Sequence, residues 1–272
     1  KKLLTLTGSK DADLARAAAK VLGALKVADP KAAQVQRELL FHPDEGTALA
    51  ALEALTPQAG RMLADIVPLL ARGGALSQRS AGIIEAHIDA AAPILAKAIA
   101  KADPMMCRAA LSLLPMAKRF DPADLLPVLG AGDPELVREA ADTVRKASEK
   151  LSGKARDVFL GKIRKFSESK AVQGDSEALT ACVKILGAAG PAEDLATMLA
   201  YAGKGYPTRV RRNALFALAK REIPKAKAKA LAKAALGFLS EGDPSVAEAA
   251  AELLKKIPVE ASWAAPLTKI LA

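Results

Sequence analysis

The stretch Asp133-Pro134-Glu135-Leu136-Val137-Arg138-Glu139-Ala140-Ala141 decides the fold. An aspartate accepts from the free amides of a helix's first turn. A proline fits the first helical position, where its missing N–H costs nothing. Apolar residues then recur at helical spacing, at Leu136, Val137, Ala140, Ala141 and Val144. The same opening returns at Asp103-Pro104-Met105-Met106 and at Asp243-Pro244-Ser245-Val246. Weaker versions begin at Asp11, His42-Pro43-Asp44, Ser77, Asp175 and Pro207. From Asp11 to Asp243, seven intervals cover 232 residues, a mean spacing of about 33. A period of that size marks a helical repeat.

Between these helices the sequence predicts a second set: Pro57 to Ala71, Ala90 to Lys101, Pro122 to Leu129, Lys154 to Phe166, Pro191 to Ala200 and Pro224 to Leu239. Each unit is then a helical hairpin with a Gly- or Pro-marked turn. Val67-Pro68 and Leu126-Pro127 place proline inside helical patterns, which predicts kinks there. The unit from Asp133 runs about 42 residues, so an insertion or longer turn is expected between Ser148 and Asp175. A last helix, Glu260 to Ala272, reads as part of a cut-off unit. With a first residue that is Lys rather than Met, this leads to the expectation of a fragment of a longer protein.

Composition agrees. Of 272 residues, 61 are alanine and 51% are hydrophobic, but only 3% are aromatic. That hydrophobicity excludes a disordered chain. The scarcity of aromatic and β-branched residues argues against an all-β fold, and two cysteines are too few for a disulfide scaffold. Cys107 and Cys182 each fall on an apolar helix face and read as buried reduced thiols, which suits a cytoplasmic protein. No apolar stretch approaches the roughly 18–20 residues that span a bilayer, so no membrane partner is expected.

The Asp-Pro-x-(x)-Val-Arg-x-x-Ala pattern, kept best from Asp133 to Ala141, resembles the HEAT-repeat family, near its armadillo and bilin-lyase-like branches. Val210-Arg211-Arg212-Asn213-Ala214 keeps the Val-Arg-x-x-Ala part without the Asp. The resemblance covers nearly the whole chain. It implies an all-α fold: an α-solenoid, a right-handed superhelix of about eight stacked hairpins, as one array over residues 1–272. It implies units beginning near 11, 43, 77, 103, 133, 175, 207 and 243, with second helices lining a concave face that binds partners. It also implies intramolecular pairing of the pattern's arginine, Arg138 and Arg211 first, with the repeated Asp.

The formal charge of +10 is concentrated in the C-terminal half. Lys204 to Lys233 holds ten basic residues against Glu222 alone, and Arg145 to Lys170 holds nine against three acids. After Pro207, Arg209, Arg212, Phe216 and Lys220 fall on one helical face. After Pro224, Lys225, Lys229 and Lys233 form an i, i+4, i+8 stripe, whose like charges repel by about 0.2–0.5 kcal/mol per pair. An anionic partner would relieve that repulsion, through an acidic protein segment or nucleic-acid phosphates. A solvated lysine stripe with no partner fits the same residues.

No catalytic set is legible. There is no phosphate-binding Gly-x-x-x-x-Gly-Lys-Ser/Thr, no dinucleotide Gly-x-Gly-x-x-Gly and no nucleophile turn. Gly203-Lys204-Gly205-Tyr206-Pro207 reads as an inter-helix loop that could also cradle an anion. His42 reads as a helix-start residue and His87 as partly buried. The spacing of Cys, His and acidic residues suggests no metal or cofactor. Tyr201, Tyr206 and Phe216 flank the arginines, as packing residues or as base-stacking surfaces. HEAT-like DNA glycosylases pair a basic face with tryptophans and a carboxylate, but Trp263 stands outside the basic tract. The expectation is a non-enzymatic protein-interaction scaffold, with phosphate-backbone binding as the alternative and a glycosylase behind both.

Overall fold

The computed structural model describes residues 2–9, 11–24, 30–99, 103–118, 120–189 and 195–257. These residues are helical, turn or loop, with no strand among them. The proposed helix Glu260 to Ala272 with Trp263, and the start of the one at Pro191, lie outside the described residues.

The chain forms two compact units, Lys1–Pro127 and Val128–Ala272. The first holds α1 (Lys2–Leu6), α2 (Ala12–Ala24), α3 (Pro30–Leu39), α4 (Glu45–Leu55), α5 (Leu63–Ile66), α6 (Gly74–Ala86), α7 (Ile88–Ile99) and α8 (Pro104–Leu113). A single turn, α9 (Leu126–Leu129), falls where the units meet in sequence. The second unit holds α10 (Pro134–Ser148), α11 (Gly153–Ser167), α12 (Lys170–Gln173), α13 (Ser176–Ala189), α14 (Leu195–Tyr201), α15 (Thr208–Ala219), α16 (Lys225–Leu239) and α17 (Pro244–Lys256).

Seven of the eight expected starts fall at the beginnings of α2, α4, α8, α10, α13, α15 and α17, whereas Ser77 lies three residues inside α6, which starts at Gly74 after the left-handed Gly73. Their caps are chemical. Asp133 accepts from the amides of Glu135 and Leu136 at 3.0 and 3.2 Å. Asp243 accepts from Ser245 and Val246 at 3.0 and 3.2 Å. Asp44, Asp103, Asp11 and Asp175 do the same at their own helices. Gly132 and Gly242 precede two of these caps at φ of 77° and 81°, a left-handed turn that glycine adopts without strain.

Proline does more than kink the intervening helices. The pattern from Pro57 to Ala71 is broken into a 3-10 turn Thr56–Arg61, the short α5, and a 3-10 turn Val67–Arg72. Pro122–Leu125 is likewise 3-10, leading into α9. Proline cannot donate to the preceding turn, and tighter turns absorb the loss. The long spacing after Asp133 is explained by fifteen residues in α11 and the extra turn α12.

In each unit the repeat-opening helices pack on one another in sequence: α2 on α4, α4 on α6 and α6 on α8 in the first, and α10 on α13, α13 on α15 and α15 on α17 in the second. Two of these contacts share a register. Gly23 stands twelve residues after the cap Asp11, and Gly187 twelve after Asp175. A Cβ on Gly23 would lie 2.2 Å from the Ala54 Cβ and 2.9 Å from its Cα, and one on Gly187 would lie 2.5 Å from the Ala217 Cβ. Glycine and alanine thus set how closely α2 approaches α4 and α13 approaches α15. Cys107 and Cys182 are buried free thiols. Burial pushes the Cys182 thiol up to about 12, out of reach of thiolate chemistry near neutral pH.

Two outcomes follow. Alanine raises helix propensity over glycine by about 1 kcal/mol, but overpacking costs about 1–3 kcal/mol. Gly23→Ala therefore lowers the urea unfolding midpoint, whereas Gly161→Ala in α11, whose Cβ would meet nothing within 4 Å, raises it. The second concerns acid. The Thr208 hydroxyl and the amides of Val246 and Ser245 hold the Asp243 carboxyl below its ordinary value. A lowered native pKa gives stability that is present above the unfolded value near 3.9 and is lost as pH falls through the native value. Asp243→Asn should lower the midpoint at pH 6, and that deficit should shrink as pH drops below about 4.

Candidate functional site

The structure separates the predicted basic residues onto two helices. Arg209, Arg212, Phe216 and Lys220 belong to the α15 region, while Lys225, Lys229 and Lys233 are exposed on α16. Phe216 and Lys220 line a groove of about 490 Å³ between α10, α13 and α15, and the three α16 lysines do not. The groove lies on the repeat-opening helices α10, α13 and α15, not on the helices between them.

Its walls can be built residue by residue. On α10, Leu136, Val137, Ala140, Ala141 and Val144 face the core, which turns Arg138, Asp142 and Arg145 outward. Helix α13 is buried almost all round, leaving Lys184, Ala188 and its first residue Ser176 exposed. On α15, Val210, Ala214, Leu215 and Leu218 are buried, so Asn213, Phe216 and Ala217 face the groove. The close approach at Gly187 and Ala217 forms part of its floor.

Most of the arginines are already engaged. Arg209 and Arg138 both bind Glu177, the latter at 3.2 Å. Arg145 pairs with Glu149 at 2.6 Å and Asp142 at 3.8 Å. Arg212 lies 4.0 Å from Glu248 and stacks over Phe216, with its guanidinium carbon 5.2 Å from the ring centroid. Arg221 donates to the carbonyls of Leu186 and Gly187 at 2.5 and 3.1 Å, and Arg156 to Ala189 at 2.5 Å. Both cap the negative end of the α13 dipole. Lys184 and Lys220, by contrast, make no ion pair among the described residues and are exposed. The groove therefore offers two unneutralised ammonium groups, one half-exposed aromatic ring and an apolar floor.

Arg211 is 7% exposed. It donates from Nε to the Ala202 carbonyl at 2.8 Å, pairs with Glu241, and lies over the Phe238 ring. It is intramolecular, as the resemblance implied, but its partner stands two residues before the repeated Asp243. Arg138 likewise pairs with Glu177 rather than with Asp175 itself. The expected pairing with the repeated aspartate occurs at Arg16, 3.3 Å from Asp44.

The remaining candidates sort by packing. Tyr201 is buried with its hydroxyl 2.8 Å from the Ser167 Oγ, and Tyr206 meets it edge to face at 5.2 Å between centroids. These rings are structural. His42 accepts from the Asp44 amide at its Nδ1, a helix-start role as expected. His87 is exposed at the end of α6, not partly buried, because the helix stops there. The α15 start has no side-chain cap, and Thr208 donates instead to Asp243. Among the described residues no group of three His, Cys, Asp or Glu is placed to hold a metal, and no helix is long and apolar enough to cross a membrane.

Sequence reasoning missed Lys184, Asp142 and Arg145 as groove residues. Lys184 did carry a signal: it is the one cation within the apolar run Ala178 to Ala189.

No protein-family model matches the chain, and no curated protein matches it. Among solved structures it is similar to the crystal structure of an engineered protein, at 20% identity over 94% of this chain and 95% of that one, with a TM-score of 0.29. A likeness that loose carries no argument, so the HEAT resemblance rests on the residues alone.

The ion pairs differ sharply in burial, which gives a prediction. Removing one partner of a buried pair costs about 3–5 kcal/mol, and an exposed pair contributes about 0–1 kcal/mol. Arg211→Ala should cost about 3 kcal/mol or more in urea unfolding. Arg209→Ala, at a side chain 47% exposed, should cost less than about 1 kcal/mol.

Proposed function

We propose that the chain is a non-enzymatic scaffold of the HEAT-repeat kind, an α-solenoid of about eight stacked hairpins, that binds another protein on the basic face of its C-terminal half. The observation that carries this reading is the groove between α10, α13 and α15, where Lys184 and Lys220 stand unneutralised around Phe216. An aromatic ring over an apolar floor supplies contact area, and rim cations supply orientation and attraction. Such a surface suits a partner segment that is partly apolar and partly acidic. The buried reduced thiols fit a cytoplasmic setting.

A second reading has its own observation. Lys225, Lys229 and Lys233 form an exposed stripe on α16, away from the groove, with no acidic residue on that helix. Such a stripe fits phosphate-backbone binding, which weakens steeply with salt.

Two charge-reversal variants separate these readings. Protein partners captured by the wild type from a native extract should fall away with Lys184→Glu/Lys220→Glu and persist with Lys225→Glu/Lys229→Glu/Lys233→Glu. In a salt series with duplex and single-stranded nucleic acid, the scaffold reading expects little binding near 50 mM salt. Partners indifferent to the first variant would remove the groove from function. Salt-sensitive nucleic-acid binding lost only in the α16 variant would put the second reading first.

A further inference from the structure

In the first unit, α2 leaves an apolar stripe in water. Its Ala15, Ala18, Ala19 and Leu22 turn into the core. Leu14, Ala17, Val21 and Ala24, at i, i+3, i+7 and i+10, are exposed, and Leu14 and Val21 keep 41% and 43% of their surface accessible. A single exposed apolar residue is ordinary, whereas a stripe of them along one helix face marks a contact surface. The repeat register shows what this one receives. On α4, the third and tenth residues after the cap Asp44 meet the preceding helix: the Thr47 hydroxyl donates to the Ala12 carbonyl at 3.4 Å, and Ala54 lies against Gly23. On α15, the tenth residue after Pro207 is Ala217, which meets Gly187 of α13. On α2, the third and tenth residues after Asp11 are Leu14 and Val21. Positions that receive a helix elsewhere carry larger apolar side chains here and stand open.

Charge selects the occupant. Asp13 and Lys20 are seven residues apart, so they flank the stripe on one side, one near each end. The Asp13 side chain is 89% exposed and touches Arg16 at 3.3 Å through Oδ1, which leaves its other oxygen to water. Lys20 is exposed and makes no ion pair among the described residues. A second α2 laid antiparallel on the first brings Leu14 against Val21 of the second copy and Ala17 against its own counterpart. The same two-fold sets Asp13 beside Lys20 of the second copy, twice over. A parallel pair would instead oppose Asp13 to Asp13 and Lys20 to Lys20.

We propose that this stripe is a self-association surface, on which two copies of the chain pair α2 with α2 in antiparallel, two-fold fashion. Such a contact is self-complementary: each residue of one copy meets its counterpart's partner in the other. Leu14 and Val21 supply the apolar contact, Ala17 at the two-fold lets the helices approach closely, and the two Asp13–Lys20 pairs fix direction and register. A helix of thirteen residues is about 20 Å long, so the contact falls below the roughly 1,200–2,000 Å² of stable interfaces. The dimer is therefore weak, and its population follows protein concentration.

Sedimentation equilibrium of the full chain at low salt tests this. Mean mass should climb from one chain toward two between about 5 and 500 µM. Leu14→Glu/Val21→Glu should stay monomeric throughout, while Val158→Glu, on a residue of α11 that is 51% exposed, should match the wild type. Asp13→Lys and Lys20→Glu should each raise the dissociation constant about tenfold, and Asp13→Lys/Lys20→Glu together should recover most of that loss. Urea midpoints of the variants separate lost association from lost folding. Ala17→Cys gives a readout that keeps the stripe: on oxidation it should cross-link copies where Val158→Cys does not, since Cys107 and Cys182 are buried. A monomer at every concentration, a dimer that survives Leu14→Glu/Val21→Glu, or no preference for cross-linking at position 17 would overturn the proposal. A double charge swap no better than the singles would overturn the antiparallel pairing. Mass growing beyond two chains would replace the closed pair by end-to-end stacking.

Discussion

The carboxylate that accepts from the first-turn amides is the interaction on which the rest of this molecule depends. Helices of ten to fifteen residues are marginal in water on their own, so each must start in a defined place and pack at once. The aspartates at 11, 44, 103, 133, 175 and 243 define those places. Once the first residue is set, the 3.6-residue turn dictates which side chains face the neighbour. That is why Gly23 and Gly187, each twelve residues after its cap, meet Ala54 and Ala217 on the next repeat-opening helix. The same phase turns Asp142 and Arg145 outward from α10 while Val137, Ala141 and Val144 go inward.

How much of this could be read from the chain follows from the range of each signal. The Asp-Pro starts are local chemistry, encoded within four residues, so the Asp-started helices were legible. The intervening helices were less so. Pro57 to Ala71 has helical spacing, yet Pro68 sits where the ladder needs a donor, and 3-10 turns replace most of the helix. The stripe of Arg209, Arg212, Phe216 and Lys220 was legible because one helix carries it. The groove was not, because it needs α10, α13 and α15 side by side, and nothing local links Asp142 to Lys184 or Lys220.

Charge counting misleads here for a physical reason. Ten basic residues between Lys204 and Lys233 suggest a broad cationic surface, but arginine and lysine are used differently. The planar five-donor guanidinium spans two acceptors. Arg211, Arg221 and Arg156 spend that fork on buried carbonyls and helix ends, and Arg138 and Arg209 converge on Glu177. The compact, strongly hydrated ammonium of lysine gains little from such bridging and stays outside. The charge left for a partner is the lysine charge, split between the groove and α16.

That split gives the two surfaces different chemistry. On α16 the three lysines recur one turn apart with no carboxylate on their helix, a spacing that follows a uniform line of charge. Around the groove, cations and carboxylates alternate: Lys184 stands beside Asp142, and Arg212 near Glu248. Attraction there depends on placing an acid against a lysine and an apolar group against Phe216, while keeping negative charge away from Asp142 and Glu177. A surface of alternating sign discriminates by position, because a misplaced charge costs about as much as a matched one gains. That is the physical basis on which the proposed reading sets a sequence-defined protein partner ahead of a polymer of identical phosphates.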